Sequence, residues 1–255
     1  MPNLPWTGFL EKALWGLEEA AARLRDAGTQ AEFEAATDWW RQPIRSGVLR
    51  GVEMPEETAV SGAIEALFDQ IVADQVIAGS PKEGEEDLRQ FQFTTEKRRA
   101  RDPAIGKKTK PTDIAIILRA SEIFDLRIEA KTLVADADIA TEYLSERGLK
   151  RFEDAGNPYT VEPYGGMLAY IIREDASVWQ DRVRTGLLDA FGAERIGDIE
   201  IRQRARTTSK HSFTIIEKGS LRTINVDVLH LVAEIEARPS LRAASTLAPP
   251  DTPKV

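Results

Sequence analysis

PTDIAIILRASEIFDLRIEAKTLV, residues 111–134, is the stretch whose reading decides the fold. A basic loop leads into Pro111-Thr112-Asp113, the chain runs through Ile114-Ala115-Ile116-Ile117-Leu118, and after a short break it resumes from Phe124 to Leu133. Short apolar runs bounded by turn-forming residues read as strands well inside a sheet. Phe91 to Arg99 precedes them with the same character, so three strands, 91–99, 113–119 and 124–133, follow one another as a meander.

Working outward, Glu56 and Glu57 stand where a helix starting near Pro55 would favour negative charge. Val60, Ile64, Leu67, Phe68 and Ile71 give that helix, reaching to about Ala78, a buried stripe. Downstream, a helix is expected from about Ile139 to Phe152. Gly165-Gly166 then opens a buried strand over 167–172, and a second helix follows from Ala176 to Phe191. Strands at 213–217 and 223–226 and a helix from Val228 to Ala237 complete the alternation, with His230 inside that last helix. This order describes an α/β sandwich on a mixed central sheet flanked by helices. Residues 1–50, with the helical period Phe9, Leu10, Leu14, Leu17, Ala21 and Leu24, read as a helical N-terminal appendage ahead of a domain spanning 51–238. Residues 239–255, rich in Ala, Ser, Thr and Pro, read as a flexible tail.

The chemistry concentrates on the meander. Residues two apart on a strand share a face, so Glu129 and Lys131 project together, and an adjacent antiparallel strand brings Asp113 beside them. Two carboxylates and a lysine can bind a divalent cation and hold an attacking water, as phosphodiester hydrolysis requires. Composition alone would produce about two acid-x-Lys triplets in such a chain; Glu129-Ala130-Lys131 is the only one, and it follows an aspartate-led strand. A turn aspartate beside an exposed ion pair is the structural alternative.

Pro111-Thr112-Asp113 followed by Glu129-Ala130-Lys131 resembles the signature of the PD-(D/E)XK phosphodiesterase superfamily, with a threonine set between the proline and the aspartate. The resemblance covers roughly residues 55–235 and implies a restriction-endonuclease-like fold. It also implies catalytic Asp113, Glu129 and Lys131, with magnesium, replaceable by manganese, held by Asp113, Glu129 and the Ala130 carbonyl. Members often add an acid from the first helix; Glu65, bordering the apolar stripe, is preferred here over Glu57. The implied activity is a nuclease acting on DNA, in a restriction or phage-defence setting. A non-catalytic nucleic-acid clamp or docking subunit of the same fold is the alternative.

The bulk numbers limit the partners. With no cysteine, thiolate zinc sites and cysteine nucleophiles are excluded, and the two histidines, His211 and His230, form no metal-binding spacing, which leaves hard oxygen ligands. A net charge of -8 argues against coating nucleic acid through the overall field. Contact would fall to local basic groups: Lys107, Lys108 and Lys110 in one stretch, with Lys150, Arg151 and Lys210 elsewhere. An acidic nuclease gains little from counterion release, so a protein partner or homo-oligomer is expected, docked through the N-terminal helices with Trp39 and Trp40. No apolar run is long enough to cross a bilayer and no leader is recognisable, so the expectation is a cytoplasmic protein without membrane contact. Gly106-Lys107-Lys108-Thr109 lacks the first glycine of a phosphate-binding loop, because Arg101 occupies its place.

Overall fold

The computed structural model describes residues 4–36, 40–44, 53–97, 112–119, 124–156, 158–172, 174–217 and 219–235. Two helices come first, α1 (Leu4–Leu24) and α2 (Ala27–Ala36), then a small antiparallel ribbon of β1 (Arg41–Pro43) and β2 (Glu53–Pro55). Next is α3 (Glu57–Ala78). Glu56 caps it by accepting the Ala59 N–H, and Gly79 closes it in the left-handed conformation (φ 75°) that glycine adopts without steric cost.

The meander forms as its sequence dictates: β3 (Phe91–Lys97), β4 (Thr112–Leu118) and β5 (Asp125–Leu133) pair antiparallel. A crossover then leads to β6 (Tyr164–Ile171), which lies parallel to β5, as parallel neighbours require. α4, a single turn at Asp136–Asp138, begins this crossover, and α5 (Ala176–Phe191) follows β6. Three strands follow α5: β7 (Ile196–Ile201), β8 (Arg204–Glu217) and β9 (Ser220–Glu234). The result is one seven-stranded mixed sheet in the order β3-β4-β5-β6-β9-β8-β7, with β5, β6 and β9 parallel at its centre.

Helices cover both faces. On one, α1 and α3 pack Phe9, Leu10, Leu14, Phe68 and Ile71 against Ile114, Ile128, Leu168 and Leu231 of the sheet. On the other, the crossover and α5 pack Tyr143, Phe152, Trp179 and Leu187 against Met167, Ala169 and Val228. Alternate residues of β6 thus feed opposite layers, the period-two consequence of the pleat. α1 therefore belongs to the same apolar core as α3, where the sequence suggested an appendage. Trp40 is buried and stacks on Phe33 at 5.8 Å between ring centres, so it offers no docking surface; Trp39 lies outside the described residues.

Three expectations are corrected. The helix expected at 228–237 is the second half of β9: Val228, Leu229 and Leu231, broken only by the buried His230, are apolar on successive positions because both faces of a central strand are covered, and that pattern mimics a helix. The helix expected at 139–152 is instead a π turn (Ile139–Tyr143) and a 3-10 turn (Leu149–Glu153). Between them Gly148 lets the chain pass so close to itself that a Cβ would sit 2.3 Å from the Tyr143 carbonyl oxygen. Gly165 and Gly166 lie inside β6, where a Cβ on Gly165 would meet the Phe152 ring at 2.4 Å.

Candidate active site

The ladder between β4 and β5 runs from Ile117–Asp125 to Ile114–Ile128. One residue beyond it, the Asp113 carboxylate takes the place of a strand partner: its Oδ2 accepts the Ala130 N–H at 2.8 Å. A buried backbone donor is thereby satisfied by the side chain that the sequence places at the head of β4. Lys131 Nζ donates to Glu129 Oε1 at 2.8 Å and to the Ala130 carbonyl at 2.6 Å, and lies 3.8 Å from Asp113 Oδ2. The alternation of β5 brings Glu129 and Lys131 together, and the antiparallel register adds Asp113.

The fourth member is Glu57, from the first turn of α3. Its Oε2 accepts the Thr132 N–H at 2.9 Å and its Oε1 stands 3.5 Å from Lys131 Nζ. Glu65 is not at the cluster: its Oε2 accepts from the Thr95 hydroxyl at 2.6 Å and the Thr95 N–H at 3.2 Å, on β3. The helix acid beside the lysine is thus Glu57.

Electrostatics follow from burial. Loss of solvent, aided by Asp113, pushes the Glu129 carboxyl up to about 7, with Lys131 opposing. The same desolvation raises Glu57. For Lys131, burial works against the charge, but Glu129, Glu57 and Asp113 outweigh it and the ammonium titrates above its usual range. Fully ionised, three carboxylates and one ammonium sum to -3 + 1 = -2, the charge that one divalent cation would cancel. Every oxygen around Lys131 Nζ is a hard donor of the kind magnesium takes. Among the described residues no three acidic or histidine side chains form a ready metal cage. The lysine ammonium stands among these oxygens as the cation, and the donor set fits a divalent ion in kind and in charge.

Tyr159, which the sequence reading missed, shields the cluster. Its phenol donates to the Arg147 carbonyl at 3.2 Å and is pushed upward by burial and by the nearby Glu129 charge. It sits in a loop with no periodicity to mark it. A clearer signal was the stripe Asp125, Arg127, Glu129, Lys131, four alternating charges on one face of an otherwise apolar strand. The first two form a buried two-point ion pair at 2.7 Å. A groove of about 390 Å³, walled by Gln42, Pro43 and Met54 of the ribbon and by Glu142 and Arg147, opens onto Glu57, Lys131 and Thr132.

The expected nucleic-acid contacts divide. Arg151 approaches the site by lying over the Tyr159 ring at 6.0 Å. Lys150 is exposed beside Glu146, and Lys210 is exposed on β8, three places from β5 in the sheet order. Lys107, Lys108 and Lys110 lie outside the described residues.

A second constellation has the spacing of a hydrolase triad. Ser209 Oγ is 2.7 Å from His211 Nε2, and His211 Nδ1 is 3.0 Å from Glu153. Ser209 is wholly buried, however, and its oxygen is also held by His230 Nε2 at 2.8 Å. Continued through Tyr143 to the Met167 carbonyl, this chain satisfies buried polar groups and presents no accessible nucleophile. Compared with protein-family models, curated proteins and solved structures, the chain gives no match.

Proposed function

We propose that this protein is a metal-dependent phosphodiesterase that hydrolyses nucleic acid, DNA above all. The observation that carries the reading is the half-buried Lys131 ammonium, held among Glu129, Glu57, Asp113 and its own strand's Ala130 carbonyl. The order of α3, an antiparallel meander, a crossover and a parallel fourth strand supports the resemblance to the PD-(D/E)XK superfamily.

Asp113, Glu129, Glu57 and the Ala130 carbonyl would hold magnesium or manganese. Such an ion, when bound, acidifies water and neutralises phosphate charge. Lys131 stays protonated, and its ammonium orients the attacking water and faces the charge developing on the phosphoryl oxygens. The Ala130 N–H on Asp113 and the Thr132 N–H on Glu57 fix these two carboxylates, so little reorganisation accompanies reaction. Glu56, Glu57 and Glu142 outnumber Lys131 and Arg147 at the groove, so a polyanion meets repulsion there until cations are loaded.

Calorimetric titration of the full chain with manganese, then magnesium, tests the reading. Binding is expected in the wild type, weakened about tenfold or more in Asp113→Asn and Glu57→Gln and unchanged in Glu65→Gln. No binding heat, or equal binding in all four proteins, would favour the non-catalytic clamp instead.

A further inference from the structure

The sheet divides at its other half. β8 and β9 pair from Glu217–Ser220 to Thr208–Leu229, and there their ladder stops, although β8 begins four residues earlier and β9 runs five further. Residues 204–207 stay bonded to β7, and 230–234 to β6, so two strand edges face one another across a gap inside the sheet. The gap opens at the carboxyl end of β9, where crevices in open α/β sheets characteristically bind ligands.

A cavity of about 230 Å³ fills this gap. That is on the order of eight water volumes, more than a structural water needs and less than a drug-sized pocket. Leu17, Leu168 and Leu231 make much of its wall apolar. Its charged rim is basic within an acidic protein: Arg25, Arg204 and Arg206 against Glu18 and Glu234, a balance of 3 - 2 = +1. Arg25 pairs with Glu234 at 2.5 Å. Glu18, reaching in from α1, is gripped by Arg206 and lies 3.6 Å from Arg204. The Arg206 side chain is 13% exposed, and among the described residues its buried Nε has no hydrogen-bond partner, so one donor of its planar fork is unused. A guanidinium fork is built to take two oxygens of one anion.

We propose that this cleft binds a compact oxyanion, a phosphate or carboxylate on a small apolar body. Arg204 and Arg206 anchor it, and Glu18 is the resident carboxylate it displaces. The apolar walls take the body, and the unpartnered Nε of Arg206 takes the anion's second oxygen. The site is separate from the carboxylate cluster on β5 and does not depend on the activity proposed there.

The test is calorimetric titration of the full chain, in EDTA so that no cation draws anions to the carboxylate cluster. Phenyl phosphate, benzoate and inorganic phosphate serve as probes. Phenyl phosphate or benzoate is expected to bind more tightly than inorganic phosphate, and whichever wins identifies the acidic group. Arg204→Ala, an exposed position that folding tolerates, weakens binding about tenfold, whereas Glu18→Gln strengthens it by a similar factor. Asp113→Asn leaves it unchanged. The proposal fails if none of the probes binds wild type or Glu18→Gln, if Arg204→Ala binds as well as wild type, or if Glu18→Gln weakens binding, which would make Glu18 a purely structural ion-pair partner.

Discussion

Glu57 and Glu65 stand about two turns apart on one helix, and what each becomes is set by the strand it meets. Glu57 faces the end of β5 and its lysine; Glu65 faces Thr95 in β3. Helical periodicity assigns both to one side and cannot rank them, because the choice depends on where each strand ends. Asp113, Glu129 and Lys131 were legible because their relation is local: two-residue spacing and one hairpin register fix it. His230 was half legible, read inside an apolar segment but on a helix where it lies on β9, whereas nothing in the spacing around His211 marked it as buried within β8. Burial, the main cause, pulls His211 down to about 4 and His230 down to about 3. Below about pH 6.5 the unfolded chain takes up protons that the folded chain refuses. This contribution to stability is therefore whole above pH 6.5 and is lost as the pH falls toward 4 and 3. Glu129 acts with the opposite sign, since its raised carboxyl holds a proton in the folded state up to about 7. In a Glu129→Gln background the melting temperature should fall steadily from pH 6.5 to 4, and adding His230→Gln should flatten the slope. An unchanged slope would remove His230 as its cause.

At the scale of elements, the sequence displayed the meander, α3 and α5, whose patterns are unambiguous in length and period. It hid the second half of β9 behind a helix-like apolar run and broke the crossover at Gly148, where close backbone approach overrides the spacing of Ile139, Tyr143 and Leu149. β7 escaped notice because its burial alternates weakly at a sheet edge. The turn joining β7 to β8 shows the cost of an unusual sequence. Arg202 and Gln203 both adopt left-handed backbone angles, φ 52° and 59°, in a two-residue hairpin connection that favours Asn-Gly. Arg202 gains some return, lying over Trp15 at 6.0 Å. Replacing the pair by Asn-Gly relieves about 1 kcal/mol of backbone strain, so thermal melts should show a rise of about 2–4 °C. A fall would mean that the Arg202–Trp15 contact outweighs the strain.

Across the whole molecule, three parallel strands direct their carboxyl ends to one side of the sheet. The carboxylate cluster lies at the end of β5 and the arginine cleft at the end of β9. Net charge made the acidity of the protein plain from its sequence, but not that acid and base would be sorted into separate sites along one sheet edge. That sorting depends on the order β5-β6-β9-β8, which composition does not encode. The acidic groove needs cations before it can accept a polyanion, so DNA cleavage should be strictly metal-dependent and should weaken as salt screens the loaded site. The measurement that bears most directly on the central claim is cleavage of labelled DNA by the purified full chain with manganese or magnesium. It is run beside Lys131→Met, Glu57→Gln and Glu65→Gln preparations made identically. Cleavage by wild type and Glu65→Gln, abolished in EDTA and reduced at least about a hundredfold by Lys131→Met and Glu57→Gln, is the predicted result. Equal cleavage by the Lys131→Met preparation, or none by the metal-loaded wild type, would contradict it.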